Sequence, residues 1–93
     1  MFLEIVSPEA TLFSGEVTSV TVPGVNGEFQ MLNNHAAIVS TLAKGNVKIA
    51  GKSIAIADEV ASKFNKINDS TVQLAISSGT VEMKNNKVII LAD

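Results

Sequence analysis

The sequence predicts an all-β fold, a flattened antiparallel sandwich or barrel of about ten short strands spanning one domain, residues 1–93. Three observations point there. Apolar and polar residues alternate with the two-residue period of half-buried strands in segment after segment. Glycine, asparagine and proline turn signals recur roughly every 6 to 12 residues. The apolar 46% of the chain is mainly Val, Ile, Leu and Ala, with four Phe and no Trp or Tyr, and branched side chains suit a pleated, half-covered surface.

Phe2 to Val6 opens as a strand with Leu3 and Ile5 on the core side, and Ser7-Pro8 stops it. Thr11 to Phe13 continues extended, Ser14-Gly15 reads as a turn, and Glu16 to Val22 reads as the next strand. In that strand Val20 and Val22 share a face while Val17 is out of phase, so either a bulge resets the register or both faces are partly covered.

The stretch from Val22 to Gly45, VPGVNGEFQMLNNHAAIVSTLAKG, holds the densest turn chemistry and the one histidine. Pro23-Gly24 and Asn26-Gly27 supply a fixed φ and positive-φ positions back to back, which predicts a loop. From Gly27 to Leu32, Phe29 and Met31 face one way and Glu28 and Gln30 the other. Asn33, Asn34 and His35 then break the pattern with a polar loop that ends at Ala36, asparagine being the non-glycine residue most at home in the left-handed region. Ile38 to Leu42 is rich in β-branched residues and reads as a strand, with a short helix closed by Gly45 as the alternative.

Turns at Gly45-Asn46 and Gly51-Lys52 lead into Val47-Lys48-Ile49 and Ile54-Ala55-Ile56. Between Asp58 and Ile67 the period changes: Val60, Phe64 and Ile67 recur at helical spacing, with Asp58 and Glu59 first and Lys63 and Lys66 last, as the helix dipole favours. A short helix near 58–66 is one reading, and a strand pair bending over the sandwich edge is the other. Asn68-Asp69 marks a turn, Val72, Leu74 and Ile76 alternate, and Ser78-Gly79 leads into Val81-Glu82-Met83. Asn85-Asn86 makes a two-residue hairpin. The last strand, Val88-Ile89-Ile90-Leu91, is apolar on both faces and should be central or covered by a partner.

Composition excludes several classes. There is no cysteine, so no disulfide and no thiolate metal site. MFLEIVSPE has no basic n-region, and no apolar run approaches the roughly 18 residues of a membrane span, so the expectation is a soluble protein of the reducing cytoplasm. Arginine is absent and aromatics are few, which leaves neither a bidentate base reader nor a stacking platform for nucleic acid. The lone His35 has no cysteine partner and no nucleophile elbow, PGVNGE is not followed by a P-loop lysine, and no carboxylates show ligand spacing. No catalytic residue, metal or cofactor is expected.

Charge is unevenly distributed along the chain. Residues 1–43 carry four glutamates and no lysine, while all seven lysines lie from Lys44 onward among five acids. The two parts therefore carry −4 and +2 (seven minus five). If they occupy different surfaces, oriented docking on a charged partner follows.

The span LEIVSPEATLFSGEVTSVTVPGVNGEFQMLNNHA closely resembles the amino-terminal domain of the epsilon subunit of bacterial F-type ATP synthase. The family pattern appears here as Val6-Ser7-Pro8-Glu9, Phe13-Ser14-Gly15, Val20-Thr21-Val22, Gly27-Glu28 and Asn34-His35-Ala36-Ala37, and the end SSGTVEMKNNKVIILAD matches its closing hairpin. Three departures stand out. Ala37 replaces the family's proline and Asn34 its glycine, the 50–70 segment is longer than in many members, and the sequence stops at Asp93 where members continue into two carboxy-terminal helices. The expectation is that those helices, and the inhibitory and ATP-sensing role they carry, are lacking.

The resemblance implies a flattened ten-stranded barrel and a non-catalytic rotor subunit, peripheral on the cytoplasmic face of the bacterial inner membrane, that binds no nucleotide. Its partners would be the gamma subunit and the c-ring. Carried over by position, Glu28, Asn34 and His35 fall where the family meets the c-ring loops, which are basic. The gamma-facing surface would lie on Ile38, Ser40 and Leu42 and on one face of the last strand. A free-standing adaptor that binds another protein is the alternative, and a small hydrolase using His35 is the third reading.

Overall fold

The computed structural model describes all 93 residues, Met1–Asp93. Its strands are β1 (Phe2–Val6), β2 (Thr11–Glu16), β3 (Ser19–Gly24), β4 (Gly27–Leu32), β5 (Ile38–Leu42), β6 (Gly45–Ala50), β7 (Phe64–Asn68), β8 (Thr71–Ile76), β9 (Gly79–Lys84) and β10 (Lys87–Ala92). A single 3-10 helix, Asp58–Lys63, precedes β7. The strand order is β2-β1-β10-β9-β5-β3-β6-β8-β7, with β4 paired to β3 off that path.

This curled sheet makes two layers. β2, β1, β10, β9 and β5 form one, and β4, β3, β6, β8 and β7 the other, joined between β3 and β5 by the single pair Gly24↔Leu42. The inward side chains of both layers meet in one core of 20 buried residues. Leu3, Ile5, Met83 and Ile90 come from the first layer and Val20, Met31, Ile49 and Leu74 from the second, all nearly free of solvent. No polar residue is buried. Each strand thus spends one face on the core and leaves its other face outward, so whatever the domain recognises must be written on the outside.

Every pairing is antiparallel except that of β1 with β10, which is parallel. A parallel pair needs a long crossover, and here the rest of the domain is the crossover. Local periodicity carries no trace of it.

Ser14-Gly15 is not a turn. It continues β2 opposite Glu4 and Leu3, and the chain bends at Val17-Thr18 to cross from the layer of β2 to that of β3. Val17 donates its N–H to the Met1 carbonyl at 2.9 Å, and Thr18 gives both its N–H and its hydroxyl to the Ala50 carbonyl, at 2.8 and 3.0 Å. Val17 is out of phase because it lies in this buried crossing between strands rather than in β3.

Pro23-Gly24 likewise belongs to β3, and the loop shrinks to Val25-Asn26 with Gly27 at φ +125°. Proline is tolerated in a strand where no donor is required. On that side β6 pairs β3 only as far as Thr21 and β5 only at Gly24, so the Pro23 nitrogen falls in the interval between them.

Each reading of 58–67 describes half of it. Asp58–Lys63 is helical with Val60 buried, and β7 begins at Phe64. Ile67 does not continue the helical face; it is exposed where the β7–β8 register shifts between Lys66 and Asn68. Ile54-Ala55-Ile56 is not a strand, because Ile54 and Ile56 pack on the core from an irregular segment with no ladder partner. The next turn falls at Asp69-Ser70, where the Asn68 side chain accepts the Ser70 N–H at 2.9 Å. Asn85-Asn86 closes the β9–β10 hairpin with φ of 53° and 60°, the two positive values a type I′ turn needs.

Candidate functional site

Ladder register arranges the outward side chains of the first layer in rows. One row runs Val39, Glu82, Ile89, Glu4 and Ser14 across β5, β9, β10, β1 and β2. The next runs Thr41, Thr80, Leu91, Val6 and Thr11. On the other side of the first, toward the β9–β10 hairpin, lie Lys84, Lys87, Phe2 and Glu16. Val39 is 74% exposed and Leu91 54%, with Ile89 and Val6 half-buried beside them. Ile89, Leu91 and Val6 adjoin one another as an apolar band, and Val39 stands one strand away beyond Glu82 and Thr80 of β9, on a layer whose inner face already completes the core. Large apolar side chains gathered on an outer face mark an interaction surface.

A second candidate is the free edge of the second layer. β4 pairs only with β3, and its outward residues are Glu28, Gln30 and Leu32. Glu28 sits beside the Val25-Asn26 turn, and its carboxylate lies 3.4 Å from the Lys48 ammonium of β6, both half-exposed. Past the far end of β4 comes the polar loop, fixed by its backbone. Asn34 has φ 61° and donates its N–H to the Asn86 side chain at 2.8 Å. His35 donates its N–H to the Leu32 carbonyl at 3.1 Å. The His35 ring lies with Nδ1 2.7 Å from the Ala36 carbonyl, and because a carbonyl only accepts, Nδ1 is the donor in that contact. At about 3.3 Å per residue, Glu28 lies roughly 13 Å along the edge from Leu32, where the loop begins.

A family model described as the ATP synthase delta/epsilon chain, beta-sandwich domain, matches residues 1–61. The chain belongs to the ATP synthase delta/epsilon family. It is 39% identical over 93 residues to the ATP synthase epsilon chain of Campylobacter curvus, covering 100% of this chain and 60% of that one. It is 35% identical over 91 residues to the epsilon chain of Chlorobaculum tepidum, covering 98% and 86%. The chain therefore spans about 60% of the length of the Campylobacter relative, and 57% of that from Desulforamulus reducens. Among solved structures it resembles a chain of the Tetrahymena thermophila mitochondrial ATP synthase central stalk and c-ring, with TM-score 0.74, 16% identity and coverage of 99% and 62%. A chain of the Euglena gracilis mitochondrial ATP synthase gives 0.72, 20%, 97% and 48%. At such identities the likeness is one of fold.

In this delta/epsilon domain the residues singled out from the sequence do not fall together. Glu28 lies on the β4 edge, whereas Asn34 and His35 lie in the loop beyond it, which is tied through Asn34 to the β9–β10 hairpin. Leu42 is 1% exposed and Ile38 packs against the core, so on β5 Ile38, Ser40 and Leu42 share the inward face, Leu42 shut from solvent and Ile38 and Ser40 half-buried. Val39 and Thr41 point outward instead. The signal was present, because alternation from the buried Leu42 assigns Val39 to the opposite face; it was obscured by apolar residues at both Ile38 and Val39. The charge asymmetry along the chain does not become an asymmetry between surfaces: β1 and β4 of the acidic part lie within reach of β10 and β6 of the basic part, as Glu28 and Lys48 show.

No three His, Cys, Asp or Glu side chains converge to hold a metal ion, and five open clefts of about 280 to 370 Å3 lie on the surface, none of them lined by His35.

Proposed function

We propose that this domain is a non-catalytic central-stalk subunit of an ATP synthase, linking the gamma subunit to the c-ring so that ion-driven rotation is passed on to ATP synthesis. The observation that carries the reading is the set of outward apolar side chains on one layer, the Ile89, Leu91 and Val6 band with Val39 one strand away, left outside a core that is already complete. Gamma seats on this band. Ile38, Ser40 and Leu42 act beneath it, holding β5 flat against the core. The c-ring loops meet the β4 edge, with Glu28 at one end and Asn34 and His35 at the other. Membership of the delta/epsilon family and the epsilon-chain relatives support this assignment.

The work is mechanical. Short, paired strands filled with branched side chains resist deformation, and a spacer that transmits torque needs stiffness rather than a pocket. The domain sits peripherally on the cytoplasmic face of the bacterial inner membrane; no helix is long and apolar enough to cross it.

Size-exclusion chromatography of the purified chain with gamma tests the reading. Co-elution is expected, and Val39→Glu should abolish it without unfolding the domain. A chain that ignores gamma would instead be an adaptor for some other protein.

A further inference from the structure

Four charged side chains share the gamma-facing surface, and none belongs to any of the three ion pairs of the molecule. Glu82 and Glu4 flank Ile89 in one row, and Lys84 and Lys87 face each other across the β9–β10 ladder in the next. Rows on one face of a strand are about 7 Å apart. Like charges directly opposite one another destabilise a sheet, yet Lys84 and Lys87 are so placed. The Phe2 ring lies 5.7 Å from the Lys87 ammonium. Glu16, in the same row beyond Phe2, is turned to the amine of Met1 at 3.6 Å. Acids and bases on this face are thus sorted into adjacent rows, the acids interleaved with Val39 and Ile89, and no ion pair joins the two rows.

We propose that these two charged rows set the orientation of the docked partner, and that the partner carries an acidic side chain over Lys84 and Lys87 and a basic one about 7 Å away over Glu82 and Glu4. The inference rests on the assignment of this face to gamma and adds the chemistry of the matching surface. A partner rotated by half a turn would set acid over acid and base over base. Complementary charge of this kind fixes register and rejects wrong poses.

The experiment measures affinity of the full chain for purified gamma at low and high salt. The double variants K84E/K87E and E4K/E82K should each weaken binding by about tenfold or more at low salt, with the difference from the unaltered chain shrinking at high salt. The neutral variants K84Q/K87Q and E4Q/E82Q guard against a misfolded charge-reversed protein, and each should weaken binding by about threefold. If the unaltered chain binds and Val39→Glu abolishes binding, while all four charge variants bind as tightly as the original, the role of the charged rows is overturned and the docking face stands. If the unaltered chain does not bind gamma, both fall.

Discussion

The Lys48 ammonium reaches across β3 to lie 3.4 Å from the Glu28 carboxylate. The acid proposed to meet basic c-ring loops is therefore already matched within the free domain, and a ring lysine or arginine must exchange with Lys48. Half-exposed pairs are worth at most about 1 kcal/mol, so the exchange is easy. Lys48→Ala should lower unfolding stability by less than about 1 kcal/mol and raise coupled ATP synthesis in membranes. Glu28→Lys should keep the fold and lower that rate; equal rates for the two variants would remove Glu28 from the ring-facing edge.

The two faces of β5 should respond in opposite ways. Leu42→Ala opens a cavity at a 1% exposed position and should cost about 2 to 5 kcal/mol in chemical denaturation. Val39→Glu, at 74% exposure, sets a carboxylate opposite Glu82 and should cost no more than about 1 kcal/mol, so its main effect falls on gamma binding. A large loss of stability from Val39→Glu would show that β5 faces the other way.

Lys84→Glu places an acid opposite Lys87 and should stabilise the isolated domain by about 0.2 to 1 kcal/mol. A thermal melt reads this directly. A lower melting temperature would mean that the two lysines do not oppose each other in solution.

Asn86 has two separable duties, a positive φ and an acceptor for the Asn34 N–H. Asn85→Gly should leave hydrogen exchange at Asn34 unchanged, since glycine adopts the same φ freely. Asn86→Gly keeps the turn but removes the acceptor, so the Asn34 amide should exchange faster while the β9–β10 ladder stays protected. Equal protection of Asn34 in both variants would show that Asn86 does not anchor the His35 loop.

Glycines in the sheet divide by what surrounds them. A Cβ on Gly79 would collide with the Leu91 carbonyl oxygen, which is backbone and cannot move aside, whereas on Gly15 the nearest atom is a Phe13 ring carbon at 3.5 Å. Gly79→Ala should cost about 1 to 3 kcal/mol as overpacking. Gly15→Ala should be nearly neutral in the same denaturant titration.

Where a strand alternates cleanly, as at Leu3 and Ile5 or Val72 to Ile76, the sequence displays the buried face directly, and the Asn85-Asn86 turn is equally plain. The failures have physical causes. Val17-Thr18 bends without glycine, proline or asparagine, held by bonds to Met1 and Ala50 that are distant in the chain. Pro23 sits in a strand because a gap between two neighbouring strands spares its nitrogen. On the outer surface, the density of turn chemistry drew attention to the Asn34-His35 loop. The outward apolar side chains share one layer only once β5, β9, β10 and β1 lie side by side, and the parallel pairing that brings the last two together is invisible to any local window.

That pairing of the first strand with the last governs when the protein can form during its synthesis. β10 fills the slot between β1 and β9 and delivers Val88 and Ile90 to the core, so a nascent chain from which β10 has not yet emerged has β1 and β2 with nowhere to attach. Distant contacts of this kind make folding slow and late. The barrel cannot close until β10 has left the ribosome, and until then the emerging strands keep bare edges that favour aggregation.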